Sequence, residues 1–274
     1  MESGSKIQSV ARALTILDIL AEAHGELPLN EIASRLGLPK STVHGLISTL
    51  KDFGYLEQSN FTGKYRLGLR LFEMGSIVSQ GWEVRGVAAP YIQKLLEELG
   101  ETVHLVILDK FEVLYIDKRE TGESLRIHTQ VGMRLPTHCT GVGKVLMAHL
   151  CFEERQEIIE KKGLLKFTRN TITDPVLLEN ELAKVRMQGF AIDNEEIMDS
   201  LRCVAAPIRD QTGRVISAIS VSGPVSRIKG IGFDKAIRRV TETAEEISAS
   251  LGFRPKDLSR FPADKEIEVP SLSK

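Results

Sequence analysis

Leu29-Asn30-Glu31-Ile32-Ala33-Ser34-Arg35-Leu36-Gly37-Leu38-Pro39-Lys40-Ser41-Thr42-Val43-His44-Gly45-Leu46-Ile47-Ser48-Thr49-Leu50-Lys51-Asp52-Phe53-Gly54 decides the reading of this chain. Asn30, a good helix N-cap after Pro28, opens two turns ending at Leu36, and Gly37 stands where a left-handed residue closes a helix. Leu38-Pro39-Lys40 makes the turn, with Pro39 suited to the opening turn of the next helix. That helix runs from Ser41 to Phe53 and stops at Gly54. Val43, Leu46, Ile47 and Leu50 fall on one stripe of its wheel with Phe53 at the edge, and Ser41, His44, Gly45 and Ser48 fall opposite. Two short helices joined by a Gly-bearing turn, the second with a small polar outer face, describe a helix-turn-helix. Small polar side chains near its N-terminus allow close approach to phosphates and base edges in a major groove.

The flanks support this reading. Val10, Ala13, Leu14, Ile16, Leu17 and Leu20 recur at helical spacing behind Ser9, a plausible N-cap, and Gly25 lies just beyond. After Gly54, Tyr55–Gln58 extends as a strand, Asn60–Gly63 turns, and Lys64–Leu67 returns as a second strand. A hairpin directly after a recognition helix is a wing. The expected DNA contacts are Lys40, Ser41, Thr42, His44, Gly45 and Ser48 on the helix, with Lys64 and Arg66 on the wing. Together with Lys51, these cations give local basicity in a chain whose formal net charge is −1, and phosphate contacts of this kind make binding salt-dependent. Helix count alone would equally suit a protein-interaction module; turn, helix face and wing together favour DNA.

A length of 274 residues suggests two domains, and 42% hydrophobic with 27% charged residues is ordinary for a globular chain. No apolar run approaches the ~18 residues of a membrane span, and Met1-Glu2-Ser3-Gly4 does not open a secretory signal. Cys139, Cys151 and Cys203 are odd in number and widely spaced, which fits a reducing cytoplasm better than a disulfide scaffold. The expected location is therefore cytoplasmic. The domains expected are a DNA-binding domain over 1–68, a linker helix over 69–84, an α+β domain over 85–253 and a loose polar tail over 254–274.

In the larger domain, a helix is expected over Arg85–Glu98, ended by Gly100. Strands are expected over His104–Leu108 and Val113–Asp117, joined by a hairpin at Asp109–Glu112. Further strands are expected at Leu125–Gln130, Gly189–Asn194, Val204–Arg209 and Arg214–Ser222. Helices are expected at Val142–Leu150, Glu153–Lys162, Val176–Gln188 and Phe233–Leu251.

Three segments there could carry chemistry. Gly132–Lys144 leads from loop into helix, and a helix N-terminus with small residues favours an anion. Gly143-Lys144 hints at a phosphate-binding loop, but such a loop needs glycine in place of His138 and Ser or Thr in place of Val145. In Asp193-Asn194-Glu195-Glu196, the residues read as a solvated, charge-paired turn, except Asp193 at a strand end. Ser220 and Ser222 share a strand face with Ala218 and Ile216. Buried hydroxyls there either bond backbone, the commoner case, or line a polar pocket.

In their order and spacing, Asn30-Glu31-Ile32-Ala33, Pro39–His44, Gly54-Tyr55-Leu56, Pro136-Thr137-His138 with Gly143-Lys144, Asp193–Glu196, Cys203–Pro207 and Ile219–Pro224 resemble the IclR family of bacterial transcription regulators. The resemblance runs from about Val10 to Leu251. It implies a winged helix-turn-helix joined by a helix to a GAF-like effector domain. It also implies homodimers paired through the N-terminal domain, sometimes tetramers on a double-stranded operator, and repression as the usual outcome. The implied ligands are small organic acids, held by the N–H groups of Gly141 and Val142, with Asp193, Cys203, Ser220 and Ser222. Ile127, Leu135 and Leu201 would form the apolar wall. Ionised Asp193 would repel a carboxylate, so it should accept from a hydroxyl or hydrated carbonyl, which points to a hydroxy- or oxo-acid. The chain departs from the family at Gly45, where arginine is common, and at Ser124, where some relatives place a leucine.

Two other functions can be drawn from the same residues. Cys203 or Cys139 with His138 could be a thiol nucleophile and its base, although no local motif supports an enzyme. His138, Asp193 and Cys203 could hold zinc in a metal-responsive regulator, although no close ligand pair anchors a site. The expectation is a regulator with no catalytic residues, no metal and no cofactor.

Overall fold

The computed structural model describes residues 7–23, 25–80, 83–120 and 129–254. The chain divides into two compact units, 1–82 and 83–274. Among the described residues no helix is long and apolar enough to cross a membrane.

In the first unit, α1 (Gln8–Glu22), α2 (Leu29–Leu36) and α3 (Lys40–Asp52) precede a two-stranded antiparallel sheet of β1 (Leu56–Gln58) and β2 (Tyr65–Leu67), and α4 (Leu69–Gln80) follows. Ile16 and Leu20 of α1, Ile32 of α2, and Val43 and Ile47 of α3 meet Leu56 and Tyr65 of the hairpin in one core. Gly37 closes α2 at φ +66°, as its position requires. The expected caps differ. α1 begins at Gln8, so Ser9 lies inside its first turn. Pro28 precedes α2 and leaves Asn30 within the helix, and Pro39 precedes α3 rather than opening it. In both cases the proline holds the extended conformation an N-cap needs, without a side-chain acceptor. Phe53 caps the end of α3 and is exposed instead of joining the buried stripe.

The second unit contains α5 (Glu83–Leu99), β3 (Thr102–Asp109), β4 (Glu112–Arg119), β5 (Arg134–Leu135), α6 (Gly141–Ala148), α7 (Phe152–Lys162), α8 (Pro175–Gln188), β6 (Ala191–Asn194), β7 (Leu201–Arg209), β8 (Val215–Pro224), α9 (Val225–Ile231) and α10 (Phe233–Ser250). The strands form one antiparallel six-stranded sheet in the order β5-β4-β3-β8-β7-β6. Val106, Tyr115, Ala191, Ala205 and Ala218 turn one sheet face toward Val142, Val145 and Leu146 of α6 and Leu178, Leu182 and Val185 of α8. The alternate residues face the other way, where α5 and α10 pack on the sheet and on each other. This is an α+β, GAF-like architecture. Of the strand expected at 125–130, residues 125–128 lie outside the described residues, and Thr129 and Gln130 are not strand. Residues 255–274 of the expected tail also lie outside.

Register decides which residues share the α6 face. Asp193 pairs with Cys203, and Cys203 with Ser222; Ala191 pairs with Ala205, Ala205 with Ser220, and Ser220 with His104. A bulge at Leu105/Val106 opposes Tyr115, rather than Ile116, to Val106 and so keeps the tyrosine on this face.

Candidate functional site

A cavity of about 130 Å³ lies between this sheet face and the N-terminus of α6. Leu135, Gly141, Val142, Asp193, Leu201, Cys203, Ser220 and Ser222 all line it. Ile127, the remaining residue of the expected pocket, lies outside the described residues, as does Ser124. The sequence reading missed His104, Tyr115, Thr129, Met133 and Ile197, which also face the space.

The start of α6 is built by close approach. Thr140 caps it, its hydroxyl accepting from Gly143 N at 3.1 Å, and its carbonyl accepts from Lys144 N at 2.9 Å. A side chain on Gly143 would begin 2.2 Å from the Thr137 carbonyl oxygen, so only glycine lets the loop fold over the helix. Gly141 lies against Ala205 and the Asp193 backbone, where an added Cβ would sit 3.4 Å from each. Helix geometry gives the Gly141 and Val142 N–H groups no carbonyl in the preceding turn, and both residues line the cavity.

Asp193 lines the same cavity. It is buried; Oδ1 accepts from Glu196 N at 2.7 Å, while Oδ2 has no hydrogen-bond partner. Burial pushes its carboxyl up to about 7, opposed by the Glu196 N–H and by Lys144 and reinforced by the Glu196 charge. Near neutral pH it is therefore partly protonated, which eases the repulsion that an ionised Asp193 would exert on a carboxylate ligand.

Glu196 also departs from expectation. It is not solvated but buried, accepting from Lys144 Nζ at 2.5 Å. Lys144 is itself buried and donates to the Ile192 carbonyl at 2.6 Å and to Glu181 at 3.2 Å. Its donors are thus committed to pinning α6 to the turn after β6, which accounts for Gly143-Lys144 without any phosphate.

Neither Cys203 nor Cys139 is poised as a thiolate. Burial pushes Cys203 well above the usual thiol range, with the Asp193 charge adding to it, and burial likewise raises Cys139. His138 does not line the cavity; its Nε2 lies 2.9 Å from the Leu165 carbonyl oxygen. Among the described residues no group of three or more His, Cys, Asp or Glu is placed to hold a metal ion.

In the first unit, Lys40, Ser41, Thr42, His44, Gly45 and Ser48 are all exposed on α3, and Lys64 and Arg66 are exposed on the hairpin. Arg66 is tied locally: Nε and Nη2 donate to Glu57 at 3.1 and 2.9 Å, and Glu26 lies 3.6 Å away. A Cβ on Gly45 would meet no heavy atom within 4 Å.

Comparison with known proteins agrees with both halves. The profile of the IclR helix-turn-helix domain matches residues 9–60, and that of the bacterial transcriptional regulator IclR C-terminal domain matches residues 77–249. The chain is 34% identical to the transcriptional repressor IclR of Escherichia coli K12 over 90% of its length and 91% of the relative's. It is 38% identical to the HTH-type transcriptional regulator XynR of the same organism, over 90% of its length and 98% of that protein's. The Thermotoga maritima IclR structure superposes with a TM-score of 0.75 at 31% identity, covering 90% of this chain and all of that one. An IclR homolog from Microbacterium hydrocarbonoxydans, complexed with 4-hydroxybenzoate, superposes with a TM-score of 0.81 at 29% identity, covering 89% and 98%. Profiles that together span most of the chain, and relatives alike over nearly their whole length, establish that this chain belongs to the IclR family of bacterial transcriptional regulators.

Proposed function

We propose that the chain represses transcription by binding a double-stranded operator, with its affinity controlled by a small hydroxy- or oxo-acid in the cavity under α6. The observation that carries this reading is the pairing of helix-end donors with a buried, unpartnered Asp193 Oδ2 in one largely apolar space. Gly141 and Val142 N–H groups take the carboxylate, and the Ser220 and Ser222 hydroxyls are further donors. Asp193 takes a hydroxyl or carbonyl of the ligand, accepting when ionised and donating when protonated. A buried acceptor without a donor is costly, so a ligand that supplies one gains specificity. A cavity of about 130 Å³ limits the ligand to a small molecule. That the Microbacterium homolog holds 4-hydroxybenzoate, an acid bearing a hydroxyl, agrees with this class.

On the DNA side, Ser41, Thr42, His44 and Ser48 read the major groove, while Lys40, Lys64 and Arg66 hold phosphates. Arg66 exchanges exposed ion pairs of at most about 1 kcal/mol for a phosphate. Effector binding alters the spacing of two recognition helices in a homodimer, which requires different affinities for the operator-bound and free states. Calorimetric titration of hydroxy-, oxo- and unsubstituted short acids into the full chain tests the ligand class. Acids whose hydroxyl or carbonyl adjoins the carboxylate, where Asp193 meets it, should bind at least about tenfold tighter than matched unsubstituted acids, a gain that Asp193→Leu removes. Equal affinity across the matched acids sinks the reading.

A further inference from the structure

The cavity contains a second polar centre that the proposed recognition leaves unused. His104 on β3 lines the cavity and is buried. Its Nε2 lies 2.8 Å from Thr129 Oγ1 and its Nδ1 lies 3.4 Å from Ser222 Oγ. Thr129 is anchored in turn, its carbonyl accepting from Lys118 Nζ at 2.9 Å. The imidazole stands edge-on to Tyr115, with ring centroids 5.1 Å apart and planes at 88°, which fixes its orientation. Burial, with Lys118 adding to it, pulls the imidazole down to about 3, so at neutral pH it offers one donor and one acceptor nitrogen. The contact to Thr129 is tight. The contact to Ser222 is at the long end of hydrogen bonding, so that side of the ring has capacity for another group.

Register sets the distance between the two ends. His104 pairs with Ser220 and Ser220 with Ala205, the residue against which Gly141 packs. Two strand spacings, about 10 Å, separate His104 from the strand beneath the α6 N-terminus. Met133, Leu135, Val142 and Leu201 supply apolar wall to the same cavity.

We propose that His104 is a specificity-determining residue: with Ser222 and Thr129 it receives a hydroxyl several bonds away from the ligand's carboxylate, so the effector is a bifunctional acid. The carboxylate sits at the start of α6, the hydroxyl at His104, and an apolar body between them. This rests on the reading of the cavity as an acid site. A two-carbon acid fills only the helix end and leaves His104 unengaged.

The test is calorimetric titration of the full chain with two matched pairs, 4-hydroxybenzoate with benzoate and 5-hydroxypentanoate with pentanoate. In at least one pair the hydroxylated acid should bind about tenfold tighter or better, the usual worth of one well-made hydrogen bond in a dry site. His104→Phe keeps a ring beside Tyr115 but has no nitrogen. It should bring the pair within about twofold while leaving the unhydroxylated acid's affinity nearly unchanged, and His104→Gln should restore part of the preference. Thr129→Val reads the same preference from the other side of the ring should His104→Phe fail to fold. Acids that bind the parent chain without discrimination overturn the role of His104, as does a preference that survives both replacements. If none of the four acids binds the parent chain, the acid site itself falls, and the role of His104 with it.

Discussion

At the scale of the residue, the site depends on groups whose chemistry is changed by burial. Asp193 is raised to about 7 chiefly by desolvation, so between the usual carboxylate range near ~4 and pH 7 the folded chain holds a proton that the unfolded chain releases. Its contribution to stability is therefore greatest at or below about pH 4, declines as pH rises, and is at its lowest above 7. Asp193→Asn removes that slope while its amide oxygen still accepts from Glu196 N. Relative to the parent, the variant should gain stability by up to about 4 kcal/mol from pH 4 to 7, three pH units at 1.36 kcal/mol each; urea titrations at several pH values measure this. Parallel curves for the two proteins would rule the titration out. On the proposed reading, the same group also sets the pH dependence of acid binding. A carboxylate ligand favours protonated Asp193, so its affinity should fall by up to about tenfold per pH unit above 7, and this fall should be absent in Asp193→Asn. Lys144 works in the opposite sense, as a buried charge satisfied by Glu196, Glu181 and the Ile192 carbonyl. Lys144→Met leaves the buried Glu196 without its cation and should cost about 3–5 kcal/mol of unfolding free energy. A loss below 1 kcal/mol in urea melts would mean that the pair does not hold α6 in place.

At the scale of the element, the recognition helix α3 is well formed despite a glycine in its interior. Gly45 has open space around it, so Gly45→Arg should raise helix stability by up to about 1 kcal/mol. It should also steepen the salt dependence of DNA binding by about one unit in the slope of log K against log salt; fluorescence anisotropy at four salt concentrations checks the latter. An unchanged slope would place Gly45 away from the phosphates. The elements legible in the sequence were those whose periodicity and punctuation agree. α2 to α3 is marked by Gly37 and Pro39, and the β3–β4 hairpin by two apolar strands around Asp109–Glu112. The short pieces were not legible: β5 is Arg134-Leu135, and α9, Val225–Ile231, follows a strand with no polar break beyond Gly223-Pro224. The cap misread at Asn30 shows a proline overruling a good capping side chain. Of the cavity, the helix N-terminus, Asp193 and the serine pair were visible as local motifs or through the family resemblance. His104 and Tyr115 were not, because they read as ordinary strand residues. Only the antiparallel pairing of β3 with β8, far apart in sequence, turns His104 toward Ser220 and Ser222.

At the scale of the whole molecule, α1 has apolar residues on more than its core face. Ile16, Ile19 and Leu20 are buried, yet Ile7, Val10 and Leu14 are 69%, 54% and 57% exposed at helical spacing, and on α4 Leu69, Phe72 and Ile77 are exposed as well. A helix apolar on more than one face is ordinarily covered on each, and we propose that a second copy of the N-terminal unit covers this one, as a homodimer on paired half-sites would require. Leu14→Glu combined with Phe72→Glu should shift sedimentation at micromolar concentration from dimer toward monomer and weaken operator binding by at least about tenfold. A variant that sediments as the parent does would place the dimer contact elsewhere. The account joins two sites through one linkage: an acid bound in the C-terminal cavity changes operator affinity at α3. Fluorescence anisotropy tests that linkage most directly, with DNA from upstream of the chain's own gene titrated against unrelated DNA, with and without the tightest-binding hydroxy-acid. The account predicts saturable, salt-sensitive binding that resists competitor DNA and shifts at least about fivefold with the acid, a shift lost in Asp193→Leu. Operator affinity identical with and without a saturating acid would contradict it.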